Sequence, residues 1–123
     1  MTRVESGTPY GWGRLHAAFQ VLEVLAVGRT ALGTPAGLRR TTNTPRNHFV
    51  ELLRRAGLLL LVTREKGGDH ARAVEAVFGD IVRLTGPQRM YDKSLDERQI
   101  AEFRRGHADQ VAEYRKAWES LVP

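Results

Sequence analysis

Basic side chains concentrate in the middle of the sequence, where phosphate groups are the ligand their chemistry suits best. The nine candidates are Arg39, Arg40, Arg46, Arg54, Arg55, Arg64 and Lys66, with Arg104 and Arg105 nearer the C-terminus. Such a set can follow a nucleic-acid backbone through charge and shape without reading bases. Alternatively, these residues form a solvated face with ion pairs such as Glu51 with Arg55. Aromatic residues are few, so base stacking is not indicated.

The four histidines, at positions 16, 48, 70 and 107, are the other candidates for chemistry. None lies at metal-ligand spacing from another histidine or a carboxylate, so no metal site is predicted. Arg64 and His70 have the R-x5-H spacing that resembles helical toxin ribonucleases, in which arginine holds the scissile phosphate and histidine moves the proton. Glycines 67 and 68 between them argue against one rigid face. Without any hydrolase, metalloprotease or nucleotide-binding motif, we predict a protein that is not an enzyme and needs no cofactor.

The composition is that of one globular domain. The 123-residue chain is 41% hydrophobic and 27% charged, has no cysteine and carries a net charge of +5. The lack of cysteine excludes disulfides and thiolate metal ligands. No secretory signal and no apolar run of about 20 residues is present, so we expect a cytoplasmic protein with no membrane partner. Arginine outnumbers lysine, which favours phosphate and nucleic acid as partners.

Apolar periodicity predicts an all-α protein, a compact bundle of four to five helices. Residues 1–12 are predicted to form a flexible N-terminal arm that docks through Tyr10 and Trp12. Residues 13–123 are predicted to form a single helical domain, whose first helix runs from Gly13 to near Gly28 or Gly33.

Turn and cap residues divide the rest of the domain. A segment rich in threonine, glycine and proline holds at most one short helical turn, around residues 36–40, before the central helix starts at Thr44 and Pro45. Glycines 67 and 68 break that helix, and Asp69 is predicted to cap the next one, which ends at Gly86. Ser94 and Glu97 match the capping box that opens a last helix.

The stretch 48–68 is predicted to be the centre of the fold. Phe49, Leu52 and Leu53 follow helical spacing, and residues 58–62 form the longest apolar run in the chain. A segment that is apolar on all sides requires burial on all sides. If the helix continues to its end, the fold is an all-α bundle. If it breaks at Gly57 and a strand follows, the fold is a winged helix-turn-helix.

Residues 15–62 resemble winged helix-turn-helix transcriptional regulators, in which an A-G-L-L-type step, here residues 56–59, leads from the recognition helix into the wing. This resemblance implies that Arg46, Asn47 and His48, at the start of the recognition helix, face DNA bases. A second wing strand is missing, because the sequence after residue 68 predicts a helix.

About 100 residues resemble the small α-helical subunit of type III CRISPR effector complexes of the Cmr type. The matching positions, helix by helix, are Arg14, Ala18 and Leu22; Leu53, Gly57, Leu58 and Lys66; Val77, Phe78, Ile81 and Leu84; and Glu102, Phe103, Arg104, Arg105, Ala108, Asp109 and Trp118. Their order and spacing agree with those of the family.

The Cmr-type resemblance implies an RNA-binding scaffold subunit that performs no chemistry. In that family the small subunits stack along the belly of the complex, where basic faces cradle the guide RNA and its paired target RNA. For this chain the resemblance implies RNA contacts from the nine basic residues, and partners that include other subunits and copies of itself. It also implies that exposed apolar positions on the terminal helices pack against neighbours.

Overall fold

Five helices form the fold in the computed structural model, which describes residues 7–87 and 90–123. They are α1 (Pro9–Val27), α2 (Pro35–Asn43), α3 (Pro45–Glu65), α4 (Gly68–Thr85) and α5 (Glu97–Ala117). The described residues contain no β-strand, and none of their helices is long and apolar enough to cross a lipid bilayer. The predicted all-α bundle of four to five helices is confirmed.

Helix α1 is the buried centre of the bundle and packs against α3, α4 and α5. Most of its residues are apolar or small, so Trp12 and Val21, on opposite sides of the helix, are both no more than 1% exposed, and its polar residues such as His16 and Glu23 have hydrogen-bond partners. The helix begins at Pro9, after Thr8 accepts a hydrogen bond from the Gly11 amide at 3.0 Å. The predicted arm is therefore too long at its C-terminal end, while residues 1–6 lie outside the described residues.

Two glycines let α5 approach α1 at backbone distance. A Cβ atom on Gly13 would lie 1.9 Å from the carbonyl oxygen of Phe103, and one on Gly106 would lie 2.0 Å from that of Tyr10. Both distances are far inside van der Waals contact, so only glycine fits at either position. Phe103 is completely buried beside this contact.

Helix α3 continues without a break from Pro45 to Glu65, so residues 58–62 are helical. The first wing strand is therefore absent, and the winged helix-turn-helix alternative is wrong for this segment. The prediction that residues 48–68 form the buried centre is also wrong. Phe49 and Leu52 face the core, but Leu58 and Leu61 are 65% and 58% exposed. The buried centre predicted for α3 is α1 instead, a helix that is also largely apolar in the sequence.

The predicted ends of the helices agree with the structure better than the predicted starts do. Gly28, in the left-handed conformation at φ 83°, ends α1, and α4 stops before Gly86, both as predicted. The central helix starts at Pro45 as predicted, although the Thr44 hydroxyl donates to the Arg40 carbonyl and does not cap it. The single turn predicted around residues 36–40 is a nine-residue helix.

Two predicted caps are wrong. Helix α4 starts after Gly67, and Asp69 instead pairs with Arg72 inside the first turn. Helix α5 is capped by Asp96, which accepts from the Gln99 amide at 2.8 Å while the Gln99 side chain accepts from the Asp96 amide at 2.9 Å. This capping box lies two residues after the predicted one, because the Ser94 hydroxyl donates to the carbonyl of Asn43 at the end of α2.

The α1–α5 contact predicts a large loss of stability on replacing Gly13 by alanine. The added methyl group overlaps the backbone of α5, so we expect the free energy of unfolding to fall by at least about 2 kcal/mol. Gly79→Ala is the matched control, since Gly79 is exposed inside α4 with nothing within 4 Å of its Cβ position. It should raise stability by about 0.5–1 kcal/mol through helix propensity. Urea unfolding measures both, and equal effects would contradict the packing described here.

Candidate nucleic-acid interface

The nine predicted basic residues fall into two groups in the structure. One group lies on α2, the first turn of α3 and the first half of α5, and consists of Arg39, Arg40, Arg46, Arg104 and Arg105. The other lies further along α3 and consists of Arg54, Arg55, Arg64 and Lys66. The two groups differ in what their side chains already bind.

Three of the four residues in the α3 group make side-chain contacts with residues outside α3. The contacts are Arg55 with Glu23 at 2.7 Å, Arg64 with Glu75 at 2.6 Å and Lys66 with the carbonyl oxygen of Leu25 at 2.7 Å. They tie α3 to α1 and α4, and the hydrogen bond to Glu75 raises the pKa of Arg64. Only Arg54 is exposed without a hydrogen bond or ion pair from its side chain to any described residue. Glu51 and Arg55 do not pair with each other, since Glu51 binds Arg40 at 2.6 Å.

The segment between α4 and α5 packs against the corner between α2 and α3. The Arg46 amide donates to the carbonyl of Tyr91 at 3.1 Å, and the Leu95 amide donates to the carbonyl of Thr42 at 2.9 Å. These contacts bring exposed Lys93 to the same corner as Arg39 and Arg46. Lys93 is not among the nine predicted residues, because only the tertiary fold joins it to α2 and α3.

Aromatic contacts connect this corner to the first turn of α1 and to α5. The Tyr91 ring meets the Trp12 ring edge-on at a centroid distance of 4.7 Å. On α5, the Arg105 guanidinium lies 4.9 Å from the centre of the Tyr10 ring. These contacts connect Arg46, Lys93 and Arg105 to the start of α1, and Arg39 and Arg104 belong to the adjoining parts of α2 and α5. We call this group, Arg39, Arg46, Lys93, Arg104 and Arg105, the basic end. Arg40 is left out of this group because it pairs with Glu51.

Most charges of the basic end are not neutralised. Arg39, Arg46 and Arg104 are exposed, and within the described ranges their side chains make no ion pair or hydrogen bond. The first turns of α1 and α3 contain no acidic residue, so the positive ends of both helix dipoles add to the potential there. Carboxylates near these residues in sequence include Asp92, Asp96, Glu102 and Asp109. Asp96 caps α5, Asp109 accepts from the Tyr10 hydroxyl at 2.6 Å, and Glu102 lies 3.8 Å from Arg98. The arrangement offers several donors to an extended polyanion.

A buried hydrogen-bond chain lies behind the basic end. His16 Nε2 is 2.7 Å from the carbonyl of Leu32, so it must donate there, and we assign His16 Nδ1 as the acceptor of the Thr41 hydroxyl at 3.0 Å. Thr41 then accepts from His48 Nδ1 at 2.5 Å. This chain ties α1, α2, α3 and the loop after α1 together. Sequence reasoning missed it because residues 16, 41 and 48 lie on three different helices.

Burial keeps these histidines neutral. It lowers the pKa of His16 to about 3 and also lowers the pKa of His48, with a further contribution from the charge of Arg40. His107, whose Nε2 lies 2.6 Å from the Gln20 side chain, has its pKa lowered mainly by burial as well. Neutral, mutually bonded histidines inside the bundle suit a structural role.

The structure separates or partly buries the residues on which the winged helix-turn-helix and ribonuclease hypotheses depend. His48 is 3% exposed, so it cannot contact DNA bases as the winged helix-turn-helix resemblance implied, whereas Arg46 and Asn47 are exposed. Arg64 lies in the last turn of α3 and binds Glu75. His70 lies in the first turn of α4 and, with Lys66, lines a pocket of about 330 Å³. Glycines 67 and 68, which have positive φ angles, lie at the break between the two helices.

The comparisons add no family assignment. No protein-family model matches the chain, and neither curated proteins nor solved structures include a match. Among the residues that the structure describes, no group of three or more histidine or acidic side chains could hold a metal ion.

The buried histidines predict a loss of stability in mild acid. Below the unfolded pKa of 6.5 the unfolded chain binds protons that the folded chain excludes, so stability falls as pH drops. His16 alone should cost about 2 kcal/mol between pH 6.5 and about pH 5, a range above most carboxylate titrations. Urea unfolding across this range measures the effect. Stability that does not change over it would contradict the burial of neutral histidines.

Proposed function

We propose that the chain is a non-catalytic RNA-binding subunit of a ribonucleoprotein, and that its basic end contacts the phosphates of a guide RNA paired with a target RNA. The sequence resemblance points to an antiviral type III CRISPR complex of the Cmr type. In such a complex the neighbours would be other subunits and further copies of this chain.

The observation that carries the proposal is the set of unpaired charges at the basic end. An exposed arginine paired with a glutamate gains less from binding a phosphate, because it gives up an ion pair worth up to about 1 kcal/mol and the glutamate repels the phosphate. Arg39, Arg46 and Arg104 pair with no described residue, unlike Arg55 and Arg64. These three are therefore better phosphate ligands than Arg55 and Arg64, and Arg54, which is also unpaired among the described residues, lies on α3 outside the basic end.

Binding at this surface would depend on backbone geometry more than on base sequence. The donors come from α2, α3, α5 and the segment before α5, so they are spread around the start of α1 and do not form one projecting helix. A deep RNA major groove does not admit such a surface, whereas phosphates along its edge are accessible. Tyr91, 41% exposed, is the single exposed large aromatic residue in the described part of the chain.

Reversing charges at the basic end should weaken RNA binding strongly. We expect Arg39→Glu with Arg104→Glu to lower the affinity for a short RNA duplex by at least about tenfold. The slope of log K against log salt should fall by about 2, since two phosphate contacts are lost. Fluorescence anisotropy at several salt concentrations measures both quantities.

Arg72→Glu with Arg115→Glu is the matched control, because both arginines are exposed outside the basic end and the charge change is equal. It should retain most of the affinity. Equal losses in the two variants would mean that only net charge matters and would overturn the assigned site. A strong preference of the wild-type chain for one DNA duplex sequence would overturn the proposed function itself.

A further inference from the structure

Tyr91 differs from the other aromatic residues of the chain because its side chain is exposed. It is 41% exposed, whereas the other phenylalanine, tryptophan and tyrosine residues are buried or half-buried. Tyr10, the aromatic residue nearest to it at the basic end, is already engaged, since its ring lies under Arg105 and its hydroxyl donates to Asp109 at 2.6 Å. Tyr91 is therefore the aromatic ring that is most open to a planar ligand.

Trp12 supports the Tyr91 ring from the inside of the bundle. The two rings are perpendicular, at an interplanar angle of 89°, so the edge of one meets the face of the other. Trp12 is completely buried, and its Nε1 is the one buried side-chain polar atom that lacks a hydrogen-bond partner in the described ranges. An indole edge against the Tyr91 face gives this N–H an acceptor. That arrangement covers one face of Tyr91 and leaves the opposite face to solvent.

Backbone hydrogen bonds hold the Tyr91 segment in place. The Tyr91 carbonyl accepts from the Arg46 amide at 3.1 Å, and four residues later the Leu95 amide donates to the Thr42 carbonyl at 2.9 Å. The segment is thus attached to the corner between α2 and α3 on both sides of Lys93. A ring held in this way loses little conformational freedom when a ligand stacks on it.

The charges beside the Tyr91 ring suit the phosphates of a nucleotide. Arg46 and Lys93 are exposed, and the side chain of neither pairs with a described residue. Asp92 is the single acidic residue between positions 90 and 95. An aromatic face next to cationic side chains is the combination that proteins use to hold an unpaired base together with its backbone.

We propose that the open face of Tyr91 stacks on an unpaired nucleobase at the end of the bound RNA duplex, while Arg46 and Lys93 contact the phosphates next to that base. This inference rests on the proposed function and narrows its ligand to a duplex that carries an unpaired nucleotide. A base inside the duplex has neighbours on both of its faces, so it cannot stack on Tyr91. Stacking tolerates every base, so this contact adds affinity without adding sequence preference.

Fluorescence anisotropy with three RNAs tests the stacking contact. The first is a blunt duplex, the second is the same duplex with one unpaired nucleotide at one end, and the third has an abasic nucleotide at that position. We expect the unpaired nucleotide to increase the affinity by about tenfold over the blunt duplex. The abasic RNA should lose most of this gain, because it has the same phosphates and no base.

Substitutions of Tyr91 locate the contact on the protein. Tyr91→Leu should remove the advantage of the unpaired base over the abasic site and leave binding of the blunt duplex almost unchanged. Tyr91→Phe should keep the advantage, because the ring face remains. Val82→Ala is the matched control, since Val82 is a 62% exposed apolar residue on α4, and it should also keep the advantage. Thermal unfolding checks that each variant is folded.

The possible results separate this inference from the proposed function. Equal affinity of the wild-type chain for the unpaired and abasic RNAs would overturn the stacking contact even if the blunt duplex binds well. An advantage of the unpaired base that survives Tyr91→Leu would overturn it too. If none of the three RNAs binds, the proposed function fails, and this inference fails with it.

Discussion

The close approach of α1 and α5 at Gly13 and Gly106 is the contact on which the rest of the structure depends. It places Phe103 against the His16 ring, at a centroid distance of 5.6 Å, and closes the interior over the histidine and threonine chain. It also brings Arg104 and Arg105 of α5 to the start of α1, where the corner of α2 and α3 supplies Arg39 and Arg46. The basic end therefore exists because two helices can touch at backbone distance. A side chain at either glycine would separate the surfaces that supply the charges.

The helices could be predicted from sequence, but their arrangement could not. The apolar periodicity and the turn residues predicted all four long helices, and Gly28 and Gly86 predicted two of their ends. The centre was misplaced because residues 58–62 are apolar on every side, a pattern that favours burial. In the folded chain that pattern belongs to a surface helix with one side exposed, where Leu58 and Leu61 are uncovered. The caps of α4 and α5 were missed because several polar residues stand near each helix start, and tertiary contacts such as that of Ser94 with Asn43 decide between them.

The sequence could predict which types of residue form the candidate site, but not how they are arranged or which of them are paired. The arginine cluster is visible in the sequence, but the division between structural and unpaired charges depends on partners far away in the chain. Arg55 binds Glu23 on α1, and Arg64 binds Glu75 on α4. Neither pair follows the spacing of three or four residues that sequence analysis can use. The same applies to Lys93 and to the His16, Thr41 and His48 chain. In this fold Arg55 and Arg64 pair across helices, whereas Arg39, Arg46 and Arg104 pair with no described residue and are the proposed phosphate ligands.

Arginine-specific chemical modification, read by mass spectrometry with and without a bound RNA duplex, distinguishes the two groups of arginines. We expect RNA to protect Arg39, Arg46 and Arg104 from the reagent and to leave the reactivity of Arg55 and Arg64 unchanged. Protection of Arg55 and Arg64 with continued reactivity at the basic end would contradict this expectation, because residues that pair across helices would then be the RNA contacts. Unchanged reactivity at every arginine would show that the basic end does not bind RNA.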